Sequence, residues 1–263
     1  MEDEIKYKIG IETNFHIQNF LSYNNISNDS FFWTESFEMG NPFFFSSKIL
    51  NNLQSVQTIY NTATQIISIY EGIYKLLDRE KQYRKYFTLR DLYDLNENRF
   101  ISHSIETKIY KIDIDFSKIK GQNRPLNAIY ILFEKIIKDE FLINLFFLLS
   151  NDVDYKMLYI IYDDMRHYLK SNNKNDFLSE FSTSLNRFSH TANNYEVLGF
   201  YARHGRSNNQ PPSSPMSLNE SMNLIFDIIV KLLKEEFEIE LPTFWGLTYT
   251  DLSDYDLEDL FGK

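Results

Sequence analysis

The 263-residue chain contains no cysteine, which excludes disulfides, thiolate metal ligands and a cysteine nucleophile. It has only eight glycines, and they form none of the glycine-rich loops that cradle phosphates in nucleotide-binding proteins. No apolar run approaches the roughly 20 residues that a membrane span requires, and the acidic N-terminus lacks the basic start and apolar stretch of a signal peptide. We therefore expect a cytoplasmic protein that makes no membrane contact.

Positive charge is scarce as well. The net charge is −10, and residues 216–263 carry −8 of it, with eleven Asp or Glu against three Lys. Residues 182–215 have the opposite sign, with three Arg against one Glu. Non-specific binding of nucleic acids or anionic membranes needs a broad basic surface. The composition therefore disfavours both functions, although it permits a small local basic site.

Motifs for metal binding and serine hydrolysis are missing from the sequence. No His-x-x-x-His or His-Glu-x-x-His occurs, and no acidic run has the spacing of a calcium-binding loop. No Gly-x-Ser-x-Gly nucleophile elbow is present either. The sequence therefore predicts no metal site and no cofactor.

Hydrophobic residues make up 43% of the chain, which is enough for a packed core. Residues 1–120 combine weak apolar alternation, short aromatic runs and one long segment with apolar residues at three- and four-residue steps. The predicted elements are a strand at 6–11, buried aromatic segments at 31–33 and 43–45, a helix at 47–78, and a β-meander at 86–116 that ends in a strand at 109–116. This part is predicted to be an α+β domain.

From residue 121 onward the apolar pattern becomes helical. The predicted helices cover 126–149, about 154–170 and about 177–190, and a further one starts near Leu218. Asp154 or Asn151 can cap the second of them, and Ser217 with Glu220 forms a capping box before the last. We predict an α+β protein in which residues 121–240 form a dominant helical bundle.

Residues 241–263 form an acidic aromatic tail. Phe244, Trp245, Tyr249, Tyr255 and Phe261 alternate there with Asp and Glu residues. One interpretation is a peptide that docks onto a partner protein. The other is a last helix that packs on its own domain.

The stretch 186–216 concentrates polar side chains that a plain helical core does not require. It holds two of the five histidines, three arginines and an Asn pair, and it ends in a proline-rich segment. Gly205 permits a turn with positive φ, and the prolines impose an extended backbone. We expect two short connections in a helical hairpin to bring these polar groups close together.

Such a cluster suits phosphate chemistry. Arg forks onto phosphate oxygens, amides orient a ligand, and histidine moves a proton near neutral pH. Metal-independent RNA cleavage needs a base for the 2′-hydroxyl, an acid for the leaving oxygen and a cation for the developing charge. We assign acid/base catalysis to His204, a phosphate clamp to Arg203 and Arg206, and orientation to His190, Asn193 and Asn194, with Arg187 as a further substrate-binding residue.

A structural role for the same residues is the alternative. Asn and His side chains cap helix ends, and Arg bonds exposed carbonyls, so the cluster can simply tie one long loop to the bundle. The sequence leaves both interpretations open.

Short motifs in this region resemble a family of bacterial helical proteins known only as uncharacterised. They are His-Thr-Ala-Asn at 190–193, Ala-Arg-His at 202–204, and Pro-Pro followed by Pro-Met-Ser-Leu at 211–218. The run from Gly199 to His204-Gly205, with its following loop and helix, is also similar to the C-terminal domain of abortive-infection proteins of the HEPN type. That resemblance implies a helical, often dimeric protein of phage-defence or toxin systems, where many members are RNases.

Two functional hypotheses follow. The first is a HEPN-like bacterial defence or toxin effector that cleaves RNA without a metal. The second is a non-catalytic subunit that binds a partner protein or a second copy through the acidic tail or the proline-rich loop. The HEPN signature places Arg several residues before His, whereas here Arg203 adjoins His204, and this difference favours the second hypothesis. The sequence does not decide whether the chain is an enzyme.

Overall fold

The structure, a computed structural model, describes residues 5–13, 18, 21, 30–35, 42–78, 85–101, 112, 114–116, 128–205 and 210–241. The described chain divides into two compact units. The first contains the described residues within Met1–Tyr74 and Arg84–Phe147, and the second contains those within Lys75–Tyr83 and Leu148–Leu241.

An antiparallel sheet is the main β element of the first unit. Its five described strands are β1 (Tyr7–Glu12), β2 (Ser30–Thr34), β3 (Phe43–Ser47), β4 (Thr88–Asp94) and β5 (Arg99–Ile101), in the spatial order β2-β3-β1-β4-β5. Alternation in β1 buries Ile9 and Ile11, and Ile9 lies opposite Phe45 on one side and Leu92 on the other. The side chain of Asp94 accepts the backbone N–H groups of Asn96 and Glu97 at the β4–β5 turn, at 3.1 and 3.2 Å.

Three described helices contribute to the first unit: α1 (Val56–Leu77), α2 (Ala128–Ile136) and α3 (Glu140–Ser150). Tyr70 of α1 stacks on Phe133 of α2 with ring centroids 4.3 Å apart, and it meets Phe32 of β2 edge-on at 5.0 Å. These aromatic contacts join the sheet and the helices in one core. The predicted α+β class and the buried aromatic strands at 32 and 43–45 are confirmed.

The predicted single helix at 126–149 is wrong, because the structure divides it into α2 and α3. The break falls at residues 137–139, where the carboxylate of Asp139 accepts the backbone N–H of Leu142 at 3.0 Å and caps α3. The helix predicted at 47–78 is also shorter, since a 3-10 turn at Lys48–Asn52 precedes α1. In both places apolar spacing continues across a local backbone break.

The second unit is built from α4 (Tyr155–Ser171), α5 (Ser182–Ala192), the single turn α6 (Tyr195–Leu198) and α7 (Leu218–Phe237). Asp154 caps α4 by accepting the N–H of Met157 at 2.7 Å, and Ser217 with Glu220 forms the predicted capping box of α7. The buried core residues that these helices share are Leu158, Ile161, Met165, Leu185, Phe188, Ile225, Phe226, Ile229 and Leu232. Among the described helices, none is long and apolar enough to cross a membrane.

The two units differ from the predicted division into 1–120, 121–240 and 241–263. Helix α2 and most of α3 belong to the first unit. There α1 and α3 approach so closely that only a glycine fits at position 72, opposite the backbone of Phe146. Of the strand predicted at 109–116, residues 112 and 114–116 are not in a strand, and the others lie outside the described residues. The tail from residue 242 also lies outside them.

Candidate functional site

Three of the predicted site residues bind the segment that precedes α7, residues 210–217, which we call the proline segment. The imidazole of His190 and the side-chain amide of Asn194 both donate to the carbonyl of Gln210, at 2.9 and 3.1 Å. Arg187 donates to the carbonyls of Ser214 and Pro215, at 2.9 and 3.0 Å. These contacts use the hydrogen-bonding groups that a phosphate ligand would need.

Each of these residues is positioned by a helix end or face. Arg187 and His190 lie one turn apart on α5, and Asn194 follows its end, where the Asn194 carboxamide oxygen caps α6 by accepting the N–H of Val197. Asn194 is 1% exposed, and both ends of its side-chain amide are hydrogen-bonded within the protein. A carbonyl oxygen can only accept, so Nε2 of His190 carries the proton in this contact.

Thr191 is a buried residue of this network that no sequence motif indicates. Its hydroxyl donates to the carbonyl of Arg187 at 2.9 Å and accepts the backbone N–H of Met216 at 3.0 Å. On the other side, the phenol of Tyr155 donates to the Met216 carbonyl at 2.8 Å. The backbone of Met216 is therefore held from α4 and α5, which aligns the start of α7.

Replacing Thr191 with Val is expected to lower the free energy of unfolding by about 1–3 kcal/mol, because the N–H of Met216 stays buried without an acceptor. Thr191→Ser retains the hydroxyl and is the matched control, with a smaller loss expected. Urea unfolding of the three proteins checks this prediction. Equal stability of the Val variant and the wild type would contradict the assigned hydrogen bond.

Arg187 also reaches the capping box of α7. Its guanidinium lies 3.2 Å from the Glu220 carboxylate, which accepts the backbone N–H of Ser217 at 2.8 Å. The Ser217 N–H and hydroxyl, followed by Arg187, hold the pKa of Glu220 below its ordinary value of 4.5. The charged form of Glu220 therefore stabilises the helix start.

The depressed pKa of Glu220 gives a pH prediction with a definite sign. A carboxyl whose pKa is lower in the folded than in the unfolded state stabilises fully above the unfolded value, and the effect disappears as the pH falls through the folded value. The wild type should therefore melt higher than Glu220→Gln at pH 7, with the difference shrinking below about pH 4.5. Melting temperatures of both proteins from pH 7 to pH 2 test this, and a difference independent of pH would contradict it.

The remaining predicted residues are not part of this network. Arg203 lies with its guanidinium carbon 4.0 Å from the ring centroid of Tyr159 on α4. His204 is exposed, and its side chain forms no hydrogen bond or ion pair among the described residues. The buried Oδ1 of Asn193 has no hydrogen-bond partner in the described part of the chain. Arg206 lies outside the described residues. The structure therefore brings together Arg187, His190 and Asn194 and places Arg203 and His204 on a different feature.

That feature is the turn at residues 199–204, which we call the aromatic turn. Phe200 and Tyr201 are 86% and 68% exposed, far more than the buried aromatic side chains of the core. Gly199 opens the turn with φ 55° and ψ −128°, a backbone conformation that side chains other than glycine strain to adopt. The sequence does not single out this pair, because large aromatic side chains are normally expected in the protein interior.

The aromatic turn is fixed in place by hydrogen bonds. The ammonium of Lys156 on α4 donates to the Phe200 carbonyl at 2.8 Å, and the N–H of Arg203 donates to the Ala192 carbonyl at 2.8 Å. The ring of Phe200 meets Tyr195 edge-on at 6.0 Å. Exposed Ile160 lies one helical turn beyond Lys156 and adds apolar surface on α4. An exposed apolar feature held this firmly is typical of a contact surface.

In the described residues, no group of three or more His, Asp or Glu side chains is arranged to hold a metal ion. Compared with known proteins, the chain matches no protein-family model, no curated protein sequence and no solved structure.

Proposed function

We propose that the second unit is a non-catalytic protein-interaction module and that the aromatic turn is the surface that binds its partner. The supporting observation is the exposure of Phe200 and Tyr201 on a backbone held by hydrogen bonds at both ends. Burying one large apolar side chain contributes about 1.5–3 kcal/mol. A partner that covers both rings therefore gains a large share of the free energy needed for binding.

The composition and rigidity of the aromatic turn support the same proposal. Aromatic and Arg residues supply most binding energy at protein interfaces, and here two aromatic rings precede Arg203 and His204 in one short turn. The Lys156 and Ala192 contacts order the turn before any partner binds. A surface that is already ordered loses less conformational entropy on association.

The hydrogen bonds of the other candidate residues favour this proposal over RNA cleavage. Acid/base cleavage of RNA needs two proton-transferring groups and a cation around one phosphate. Here the Nε2 proton of His190 is directed to the Gln210 carbonyl, and Arg187 binds the proline segment and Glu220. Arg203 stacks on Tyr159, so of the catalytic candidates only the side chain of His204 forms no such contact in the described part of the chain. The resemblance to HEPN-type proteins adds the expectation that the partner belongs to a bacterial defence system.

Site-specific photo-crosslinking tests the proposal. The full-length chain carries benzoylphenylalanine in place of Tyr201, or in place of exposed Asn223 on α7 as the matched control, and is irradiated in its native cells. We expect one defined protein adduct at position 201 that is absent at 223. The purified partner should then bind Phe200→Ala/Tyr201→Ala at least about tenfold more weakly than wild type, with unchanged melting temperature.

Two results would overturn the proposal. One is an adduct at position 201 that consists of RNA instead of protein, which would favour the RNA hypothesis. The other is equal affinity of the partner for the wild type and the double variant, which would place the interface elsewhere.

A further inference from the structure

We propose that the core of the first unit contains a binding site for ordered water molecules, formed by the side-chain hydroxyls of Tyr70 and Tyr74 on α1. The exposed fraction is 0% for Tyr70 and 8% for Tyr74. Both hydroxyl oxygens are buried, and neither has a hydrogen-bond partner among the described residues. Bound water would satisfy this hydrogen-bonding capacity. The site is separate from the aromatic turn and does not depend on the function proposed for that turn.

The two hydroxyls are held inside the unit by the packing of their rings. The Tyr70 ring stacks on Phe133 with centroids 4.3 Å apart and meets Phe32 edge-on at 5.0 Å. The Tyr74 ring lies 5.6 Å from the ring of Phe87. Because these rings are enclosed in the aromatic core, the hydroxyls cannot turn out to solvent. A buried hydroxyl without a replacement for its lost hydrogen bonds is unfavourable, and such groups in folded proteins are usually satisfied by protein atoms or ordered water.

Neighbouring polar side chains can complete the hydrogen bonds of a bound water. The ring of Tyr130 on α2 lies 6.0 Å from that of Tyr70, and the ring of Tyr86 lies 5.8 Å from that of Tyr74. Burial raises the pKa of Tyr70 well above its ordinary value of 10.0, and the nearby acidic groups of Tyr130 and Glu134 raise it further. The phenol of Tyr70 is therefore neutral at physiological pH and can both donate and accept. A buried water makes about three hydrogen bonds, and this region offers several polar groups for them.

Water matches these groups better than an ion does. An anion is disfavoured, because the carboxylate of Glu134 lies close enough to affect the pKa of Tyr70. A metal ion is disfavoured as well, since the described residues contain no group of three or more His, Asp or Glu side chains that could hold one. Water both donates and accepts, as the phenol hydroxyls do, and it carries no charge into the apolar core.

A high-resolution crystal structure of the full-length protein is the direct test. We expect an ordered water molecule within hydrogen-bonding distance of each of the two hydroxyls, with at least one further polar partner for each water. Hydroxyls that bond only to protein atoms would overturn the inference. A bound molecule other than water at both hydroxyls would overturn it too.

Phenylalanine variants provide a second readout, in which the sign of the effect is decisive. A hydroxyl bound to water contributes a hydrogen bond, so Tyr70→Phe and Tyr74→Phe should each melt about 2–4 °C below the wild type. Removing a hydroxyl that has no partner would leave the melting temperature unchanged or raise it, which would overturn the inference.

Two matched controls calibrate these melting temperatures. Tyr60→Phe removes a hydroxyl that donates to the carbonyl of Arg90 at 2.5 Å, so it shows the loss expected for a hydroxyl with a known partner. Tyr201→Phe removes the hydroxyl of an exposed side chain and should change the melting temperature by less than about 1 °C. The Tyr70 and Tyr74 variants should resemble the first control and differ from the second.

Discussion

Replacing Gly72 with Ala is expected to lower the free energy of unfolding by about 3 kcal/mol or more. A Cβ at this position of α1 would lie 2.9 Å from the carbonyl carbon of Phe146 and 3.2 Å from its Cα, with the carbonyl oxygen closer still. Backbone cannot rotate away as a side chain can, so the two helices must separate. In an exposed helix interior the same substitution stabilises by about 1 kcal/mol, and the clash therefore decides the sign.

Urea unfolding followed by circular dichroism measures this effect. Gly205→Ala is the matched control, because a Cβ there meets no atom within 4 Å, and a change below about 1 kcal/mol is expected. Wild-type stability of Gly72→Ala would show that α1 and α3 are not in contact at Phe146.

Replacing Glu71 with Ala is expected to lower the free energy of unfolding by about 3–5 kcal/mol. The Glu71 carboxylate is buried and accepts the backbone N–H of Tyr86 through both oxygens, at 2.9 and 3.0 Å, and that of Phe87 at 2.9 Å. Both N–H groups stay buried when the carboxylate is removed, and Phe87 packs against Phe32 in the aromatic core. The substitution therefore frees the start of β4 as well as two hydrogen-bond donors.

Two variants bracket the Glu71 effect in the same unfolding experiment. Glu71→Gln keeps one side-chain oxygen as an acceptor. Its free energy of unfolding should therefore lie between that of the wild type and that of Glu71→Ala. Glu196→Ala, at an exposed position on α6, should change stability by less than about 0.5 kcal/mol. Similar values for Glu71→Ala and Glu196→Ala would contradict the capping role of the buried carboxylate.

The sequence predicts those features of the fold that depend on residues close together along the chain. The Asp154 cap and the Ser217–Glu220 box are confirmed because each joins residues three positions apart. The break between α2 and α3 is equally local, but the apolar residues continue at helical spacing on both sides of Asp139. Periodicity alone therefore merges the two helices, although Asp139 is a residue type that often caps a helix start.

Long-range contacts explain what the sequence could not predict. Nothing in α1 indicates that Gly72 meets Phe146, or that Glu71 binds the N–H groups 15 and 16 residues later. At the candidate site, the polar residues are recognisable from the sequence, but their separate roles are not. Arg187 reaches carbonyls 27 and 28 residues away, and only the packing of α5 against the proline segment reveals that.

The exposure of the aromatic turn also depends on tertiary contacts that the sequence does not reveal. A sequence rich in Phe and Tyr gives no reason to single out Phe200 and Tyr201. Gly199 before them was the one available signal, since a glycine between helical segments marks a change of chain direction. Whether the following rings face the core or solvent depends on how α4 and α5 hold the turn.

An RNA-cleavage assay in EDTA tests the proposal that the His and Arg residues of the second unit contribute to structure and partner binding and not to catalysis. Wild type and His204→Ala, shown to be equally folded, are incubated with transfer, ribosomal and messenger RNA. We expect no cleavage by either protein. Cleavage by wild type that is lost in His204→Ala would contradict it and would assign the site to metal-independent RNA chemistry.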